Sequence, residues 1–218
     1  MIDFHNHVLP NVDDGPSSLE VSMNMIREAD RQGITEIINT VHFQHPKMHD
    51  KNVSYDYLNN KVIDLQNHID KENINIKIHL SAEVFYLPNL VEISNNPLLT
   101  IGNKKYMLIE FSPNIFPINY EEQFFDLQLI GITPIIAHPE RYRFIQNNLK
   151  ILESWINRDY IIQIDAGSLL GHFGTQVQTF TEEILSRNLA HILASDCHSA
   201  SGNRSPNLNL GVAKCIEL

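Results

Sequence analysis

The stretch Tyr120 to Arg141, YEEQFFDLQLIGITPIIAHPER, decides how this chain is read. Tyr120, Phe124, Leu127 and Ile130 recur at helical spacing until Gly131 stops the pattern, and Ile132 to Ala137 is then an apolar run of strand length. The run passes directly into His138-Pro139-Glu140-Arg141. An amphipathic helix, a glycine stop, an apolar strand and a polar residue at the strand's carboxyl end form one unit of a β/α protein.

The same grammar extends in both directions. Upstream, Ser17-x-x-Glu20 predicts a capping box for a helix with Leu19, Met23, Ile26 and Ala29 on one face, ended by Gly33 and followed by a strand over Ile34 to Thr40. Tyr55, Leu58, Val62, Leu65 and Ile69 mark the next helix, and Ile74 to Leu80 the next strand. A short helix over Asn89 to Asn95 precedes a strand over Tyr106 to Ile109. Downstream, Leu149, Leu152 and Ile156 lead to a strand over Tyr160 to Ile164, and Val177, Phe180 and Ile184 to a last strand over Ala190 to Ala194. Ser205-Pro206 predicts the start of a final helix that the chain end cuts short. With the apolar opening before His5, seven strands are expected, wound as one domain over residues 1–218.

Composition narrows the function. A formal net charge of -10 argues against a binder of phosphate backbones, so nucleic acid is not an expected partner. No apolar run reaches the roughly 20 residues of a membrane span, so no direct membrane insertion is expected. Cys197 and Cys215 give no disulfide framework and no signal peptide opens the chain, so the expected location is cytoplasmic.

Each strand hands over to a potential metal ligand: His5 and His7, His42, Glu83, Glu110, His138, Asp165, and Asp196 with His198. In a closed or nearly closed parallel β/α barrel the carboxyl ends of all strands converge on one mouth, so these side chains would meet. One such residue alone is ordinarily a cap or a loop hydrogen-bonder; the ordered set carries the argument. His5-x-His7 and Asp196-x-His198 place two donors on one side of an extended segment, and Asp14 in Asp13-Asp14-Gly15 lies close enough to reach the same mouth. Mixed imidazole and carboxylate donors suit Mn²⁺, Zn²⁺ or Fe²⁺ rather than Ca²⁺, and the number of donors suits two or three ions. Asp165 reads equally as a site residue or a loop hydrogen-bonder, and His45 and His49 lie where they could touch a substrate. His68, His79, His172 and His191 read as structural. Arg141 and Arg204 beside such a cluster suit bidentate binding of a phosphoryl group. Six residues intervene between Cys197 and Arg204 where a cysteine phosphatase loop needs five, so cysteine chemistry is not expected.

The ordered set His5-Asn6-His7, Asp13-Asp14-Gly15-Pro16, His42, Glu83, Glu110, His138-Pro139-Glu140-Arg141 and Ser195-Asp196-Cys197-His198, with Arg204, resembles the PHP (polymerase and histidinol phosphatase) superfamily. Within it the chain is similar to the bacterial manganese-dependent protein-tyrosine phosphatases of capsular and exopolysaccharide operons. The resemblance implies a distorted (β/α)7 TIM-like barrel with the metal site at the carboxyl ends of the strands. It implies that His5, His7, Glu83 and Asp196 hold one ion, Asp14, His42 and His198 a second, and Glu110 with His138 a third, with Glu83 bridging. Arg141 and Arg204 would bind phosphate. The implied cofactor is Mn²⁺, with Fe, Zn, Co or Mg as substitutes, and the implied partner is the tyrosine-phosphorylated tail of a bacterial tyrosine kinase. The chain departs from the pattern at Val41-His42-Phe43, where a second histidine is expected after His42. A phosphoesterase acting on a small metabolite such as histidinol phosphate, and a catalytically silent metal-dependent binding module, are the alternatives.

Overall fold

A computed structural model of the chain describes residues 1–146 and 148–218. Seven parallel strands make one sheet in sequence order: β1 (Ile2–Asn6), β2 (Glu36–Phe43), β3 (Lys77–Phe85), β4 (Tyr106–Glu110), β5 (Thr133–Ala137), β6 (Ile161–Asp165) and β7 (Ile192–Ala194). The crossovers are α1 (Leu19–Arg31), α2 (Tyr55–Lys71), the single turn α3 (Leu90–Ile93), α4 (Tyr120–Leu129), α5 (Leu149–Ile156), the single turn α6 (Ala166–Leu169) and α7 (Thr175–Ser186); α8 (Leu208–Glu217) follows β7. The sheet curls until its edges meet, giving the nearly closed barrel that the strand count suggested.

Closure is made by the two ends of the chain. Asn6 bridges Cys197 in parallel, the His7 N–H donates to the Cys197 carbonyl at 2.9 Å, and the Asp196 N–H donates to the His5 carbonyl at 2.9 Å. Below these bonds the fully buried Asp3 carboxylate spans the seam. It accepts from the Ser195 backbone N–H at 3.0 Å, from Ser195 Oγ at 2.5 Å and from Asn6 Nδ2 at 2.9 Å. Burial pushes the Asp3 carboxyl up, and the Ser195 and Asn6 hydrogen bonds oppose it.

A second brace lies on the far side of the barrel. Phe111, buried, is ringed by Tyr86, Tyr120, Phe124, Tyr142 and Trp155 at centroid separations of 5.3 to 6.0 Å. The Tyr142 hydroxyl donates to the Ala137 carbonyl at 2.6 Å and accepts from the Phe111 N–H at 2.9 Å. It thereby ties the residue after Glu110 to the residue before His138, and two polar side chains at the mouth acquire a fixed origin.

Several boundaries differ from the sequence reading. α1 is capped by Ser18, whose Oγ accepts from the Val21 N–H at 3.3 Å, and not by Ser17. β2 and β3 run on past Thr40 and Leu80, pairing Thr40 with Ser81, Val41 with Ala82, His42 with Glu83 and Phe43 with Val84. His42 and Glu83 thus sit within strands rather than after them. A polar residue does not end a strand when the barrel interior that it faces is itself polar. The last helix begins at Leu208 after Asn207, with Ser205-Pro206 left in the preceding loop.

Replacing Asp3 by Ala strands three buried donors at the seam, each costing about 1–3 kcal/mol when unsatisfied. Asp3→Ala is therefore expected to destabilise the fold by about 3 kcal/mol or more, read as a lower urea midpoint at unchanged slope; a wild-type midpoint would show that the seam does not depend on this carboxylate.

Candidate metal centre

The site is built on the two histidines of the first strand and the residue beyond it. His5 Nδ1 lies 3.0 Å from Gln163 Oε1, whose amide is oriented by its own N–H donation to the Ile164 carbonyl at 2.8 Å. His7 Nδ1 lies 2.8 Å from Asp13 Oδ2. Both acceptors require Nδ1 to carry hydrogen, so in the neutral rings both Nε2 atoms present lone pairs. Those two atoms face each other at 3.2 Å.

Carboxylates complete the group. Glu83 Oε2 lies 3.3 Å from His5 Nε2 and 3.4 Å from His7 Nε2, and Asp196 Oδ1 lies 3.4 and 3.5 Å from the same two atoms. Burial pushes the His5 ring down, but Glu83 and Asp196 outweigh it and raise the ring to about 9; His7 rises to about 9 because Asp13 outweighs its burial. A field strong enough to hold protons on buried imidazoles is one that attracts a divalent cation.

Glu83 is the hub. Its Oε2 is also 3.1 Å from His42 Nδ1, and its Oε1 is 2.8 Å from His138 Nε2. Asp14 Oδ1 lies 3.3 Å from His42 Nε2 and 3.1 Å from His198 Nε2, so it gathers a second group with His7, which packs on His198 at a ring separation of 3.9 Å. Glu110 Oε2 lies 4.0 Å from His42 Nδ1 and 3.9 Å from His45 Nε2. Three donor groups result: His5, His7, Glu83 and Asp196; His7, Asp14, His42 and His198; and His42, Glu83 and Glu110. His138 reaches the cluster through Glu83, and the third group forms around His42 rather than around His138.

The donor chemistry fits divalent cations. His42 Nδ1, Glu110 Oε2, His138 Nδ1, Asp196 Oδ1 and His198 Nε2 are buried without a hydrogen-bond partner among the described residues. Buried polar atoms are ordinarily satisfied, and five unpartnered nitrogen and oxygen donors converging on one mouth fit a shared cation. Burial and Glu83 push Glu110 up to about 8; burial and Arg141 pull His138 down to about 4; and burial and His7 pull His198 down to about 4. The last two rings therefore offer lone pairs at neutral pH.

Backbone strain marks two of these positions. His138 has φ 31° and ψ 54°, and Asp196 has φ 46°, a left-handed conformation unfavourable for side chains other than glycine and asparagine.

The arginines meet on one carboxylate. Arg141 Nη2 donates to Asp165 Oδ2 and, at 2.6 Å, to Asp196 Oδ2, and Arg204 Nη2 donates to the same Asp196 oxygen at 3.0 Å. Arg204 Nη1 also lies 3.6 Å from Asp14 Oδ2. All eleven expected residues thus form one connected assembly, and Asp165, which read two ways in sequence, both pairs with Arg141 and caps the Gly167 N–H at 2.7 Å. Cys197 is buried with its thiol pushed well up by burial and by Asp3, so it is not poised as a nucleophile.

Sequence reasoning missed Asp13 and Gln163. Of Asp13-Asp14 the sequence singles out Asp14 alone, yet Asp13 also reaches the site, through His7. Gln163 was visible as a polar residue in the apolar run Ile161-Ile162-Gln163-Ile164. The histidines read as structural have other partners: His79 pairs with Glu36 at 2.7 Å, His68 lies 2.8 Å from the Asp64 carbonyl, His172 lies 2.9 Å from the Asn203 carbonyl, and His191 accepts from the Ile162 N–H at 3.1 Å. His49 is exposed, 3.3 Å from the Pro46 carbonyl.

A family described as capsular polysaccharide synthesis, CpsB/CapC, matches residues 1–217. The chain is 37% identical over 204 residues to the tyrosine-protein phosphatase YwqE of Bacillus subtilis, covering 91% of this chain and 78% of that one. A crystal structure from work on YwqE of Bacillus subtilis and CpsB of Streptococcus pneumoniae, described as metal-dependent tyrosine phosphatases, superposes with a TM-score of 0.90 at 34% identity over 100% of this chain and 86% of that chain. The histidinol phosphate phosphatase of Lactococcus lactis shares the fold, with a TM-score of 0.60 at 14% identity over 99% of this chain and 92% of that chain.

Asp13 sets the tautomer of His7 without belonging to any of the donor groups. Asp13→Asn is expected to lower affinity for a divalent ion about 10-fold or more while leaving the circular dichroism spectrum unchanged, as measured by competition with a chromophoric chelator. Equal affinity in the two proteins would leave Asp13 without a part in the site.

Proposed function

The chain belongs to the CpsB/CapC family of capsular polysaccharide synthesis, and on that premise we propose that it is a metal-dependent protein-tyrosine phosphatase acting through the cluster described above. The observation that carries the reading is the approach of two histidine Nε2 atoms to a buried carboxylate on which both arginines converge. In this reading His5, His7, Glu83 and Asp196 would hold one ion, Asp14, His42 and His198 a second, and Glu110 with His138 a third. Residues 1–218 act as one unit.

Bound divalent ions supply Lewis acidity there, lowering the pKa of a ligated water to about 7 and offsetting charge on the phosphoryl oxygens. The protein's own groups do the rest. Asp13 and Gln163 fix the His5 and His7 tautomers, so the donors are aligned before substrate arrives. Arg141 and Arg204 grip the non-bridging oxygens of the phosphoryl group and orient phosphorus for in-line attack. Asp165 and Asp196 hold the Arg141 guanidinium charged despite its burial, which makes it a permanent positive contact. An oxygen–phosphorus bond forms to water as the phosphorus–oxygen bond to tyrosine breaks. The tyrosyl oxygen, with a pKa of about 10, leaves with its electron pair and is protonated by solvent. No group of the protein becomes phosphorylated.

Mn²⁺ is the ion the family resemblance implies here, and the donor set itself suits Mn²⁺, Zn²⁺ or Fe²⁺ alike. The substrate is the phosphorylated tail of a bacterial tyrosine kinase, met in the cytoplasm. No helix among the described residues is long and apolar enough to cross a membrane.

Hydrolysis of an aryl phosphate such as p-nitrophenyl phosphate is expected to disappear on chelation, to return with Mn²⁺ and to survive alkylation of cysteine. Loss of activity on alkylation with metal retained would contradict the reading. Arg204→Ala is expected to lower kcat by about a hundredfold with metal content intact, and unchanged kinetics would remove Arg204 from the site.

A further inference from the structure

Beside the metal centre a cleft of about 520 Å³ opens between the loop after β4, the loop after β5 and the start of α7, with Asn114, Arg141, Arg143, Gln146, Phe173 and Thr175 in its walls. Arg141 is the wall shared with the centre: its guanidinium is bound to Asp196 and lies 4.2 Å from the centroid of the Phe173 ring. The cleft therefore adjoins the site at Arg141, one of the two arginines proposed to bind the phosphoryl group.

Arg143 is the unusual member. Arg27, Arg31, Arg141, Arg158, Arg187 and Arg204 each have a carboxylate oxygen within 4 Å. Arg143 has neither an ion pair nor a side-chain hydrogen bond among the described residues, in a chain whose net charge is -10. Its backbone is anchored, the N–H donating to the Pro113 carbonyl at 2.8 Å, so the guanidinium is presented from a fixed point. The facing wall adds no compensating negative charge, because the first turn of α7 carries no acidic residue. An uncompensated guanidinium at the edge of a cleft favours an anionic occupant.

We propose that this cleft receives the polypeptide beyond the phosphotyrosine and that Arg143 selects a carboxylate side chain flanking it. The inference rests on the phosphotyrosyl-hydrolase reading of the neighbouring centre. Exposed charge pairs of this kind are modest, which sets an expected preference of about two- to fivefold.

The test uses the full chain loaded with Mn²⁺, a set of phosphotyrosyl peptides carrying Glu or Gln at each position within about three residues of the phosphotyrosine, and p-nitrophenyl phosphate as a substrate without flanks. Wild type is expected to favour Glu over Gln at one or more positions in kcat/KM, chiefly through KM, and to lose most of that preference at high salt. Arg143→Ala should abolish the preference and Arg143→Glu reverse it, both with p-nitrophenyl phosphate kinetics unchanged. Equal rates for Glu and Gln at every position in wild type would overturn the proposal, as would a preference that survives in Arg143→Ala. A second phosphotyrosine favoured where Glu is not would overturn the carboxylate assignment. Absence of hydrolysis of every substrate would defeat the phosphatase reading instead, and peptide affinity by fluorescence anisotropy, compared between Glu and Gln peptides in both proteins, would then decide the role of Arg143.

Discussion

At the mouth of this barrel the protein gathers more lone pairs than its own hydrogens can satisfy. His5 and His7 bring their Nε2 atoms within 3.2 Å of each other, and Glu83 and Asp196, both buried, close on the same point. Buried charge is costly unless it is compensated. Arg141 and Arg204 compensate Asp196 from one side, but no arginine or lysine forms an ion pair with Glu83 among the described residues, and its neighbours are histidines. A cluster of this composition is stable with cations inside it, and the surrounding structure serves to hold the donors in place for them.

That holding role explains several features far apart in sequence. The site is complete only when the two ends of the chain meet, because His5 and His7 precede every crossover and Asp196 and His198 follow the last strand. The Asp3–Ser195 contacts and the paired backbone bonds between the His5–His7 and Asp196–Cys197 segments make that junction. On the opposite side the Tyr142 hydroxyl ties the ends of β4 and β5. The unfavourable backbone at His138 and Asp196, worth about 1–3 kcal/mol each, persists because these contacts over-determine the local geometry.

Much of this was legible in the chain itself. Seven apolar runs separated by helical periods, each followed by a donor, already describe a parallel barrel with one polar mouth, and the fold brings all of the expected donors but His138 into three groups, with His138 reaching them through Glu83. What escaped was of a different kind. Asp13 and Gln163 act on other side chains rather than on a ligand, so no motif spacing betrays them. The sequence pattern ends β2 and β3 too early because polar residues ordinarily close a strand, whereas here they point into a polar interior. Ser18 replaces Ser17 as a cap because a one-residue shift leaves the helical pattern unchanged. The grouping of Glu110 with His42 depends on how β2, β3 and β4 are staggered, which pairing across the sheet decides and local sequence does not.

The central claim is that the convergent donors form a site for several ions. The most direct measurement is the metal content per chain, by inductively coupled plasma mass spectrometry, after loading with Mn²⁺ and removal of free ion by gel filtration. The account predicts more than one tightly held ion per chain, reduced when Glu83, which links two of the donor groups, is replaced by Gln. A protein that retains no stoichiometric metal and still releases phosphate from a phosphotyrosyl peptide at an undiminished rate would contradict it.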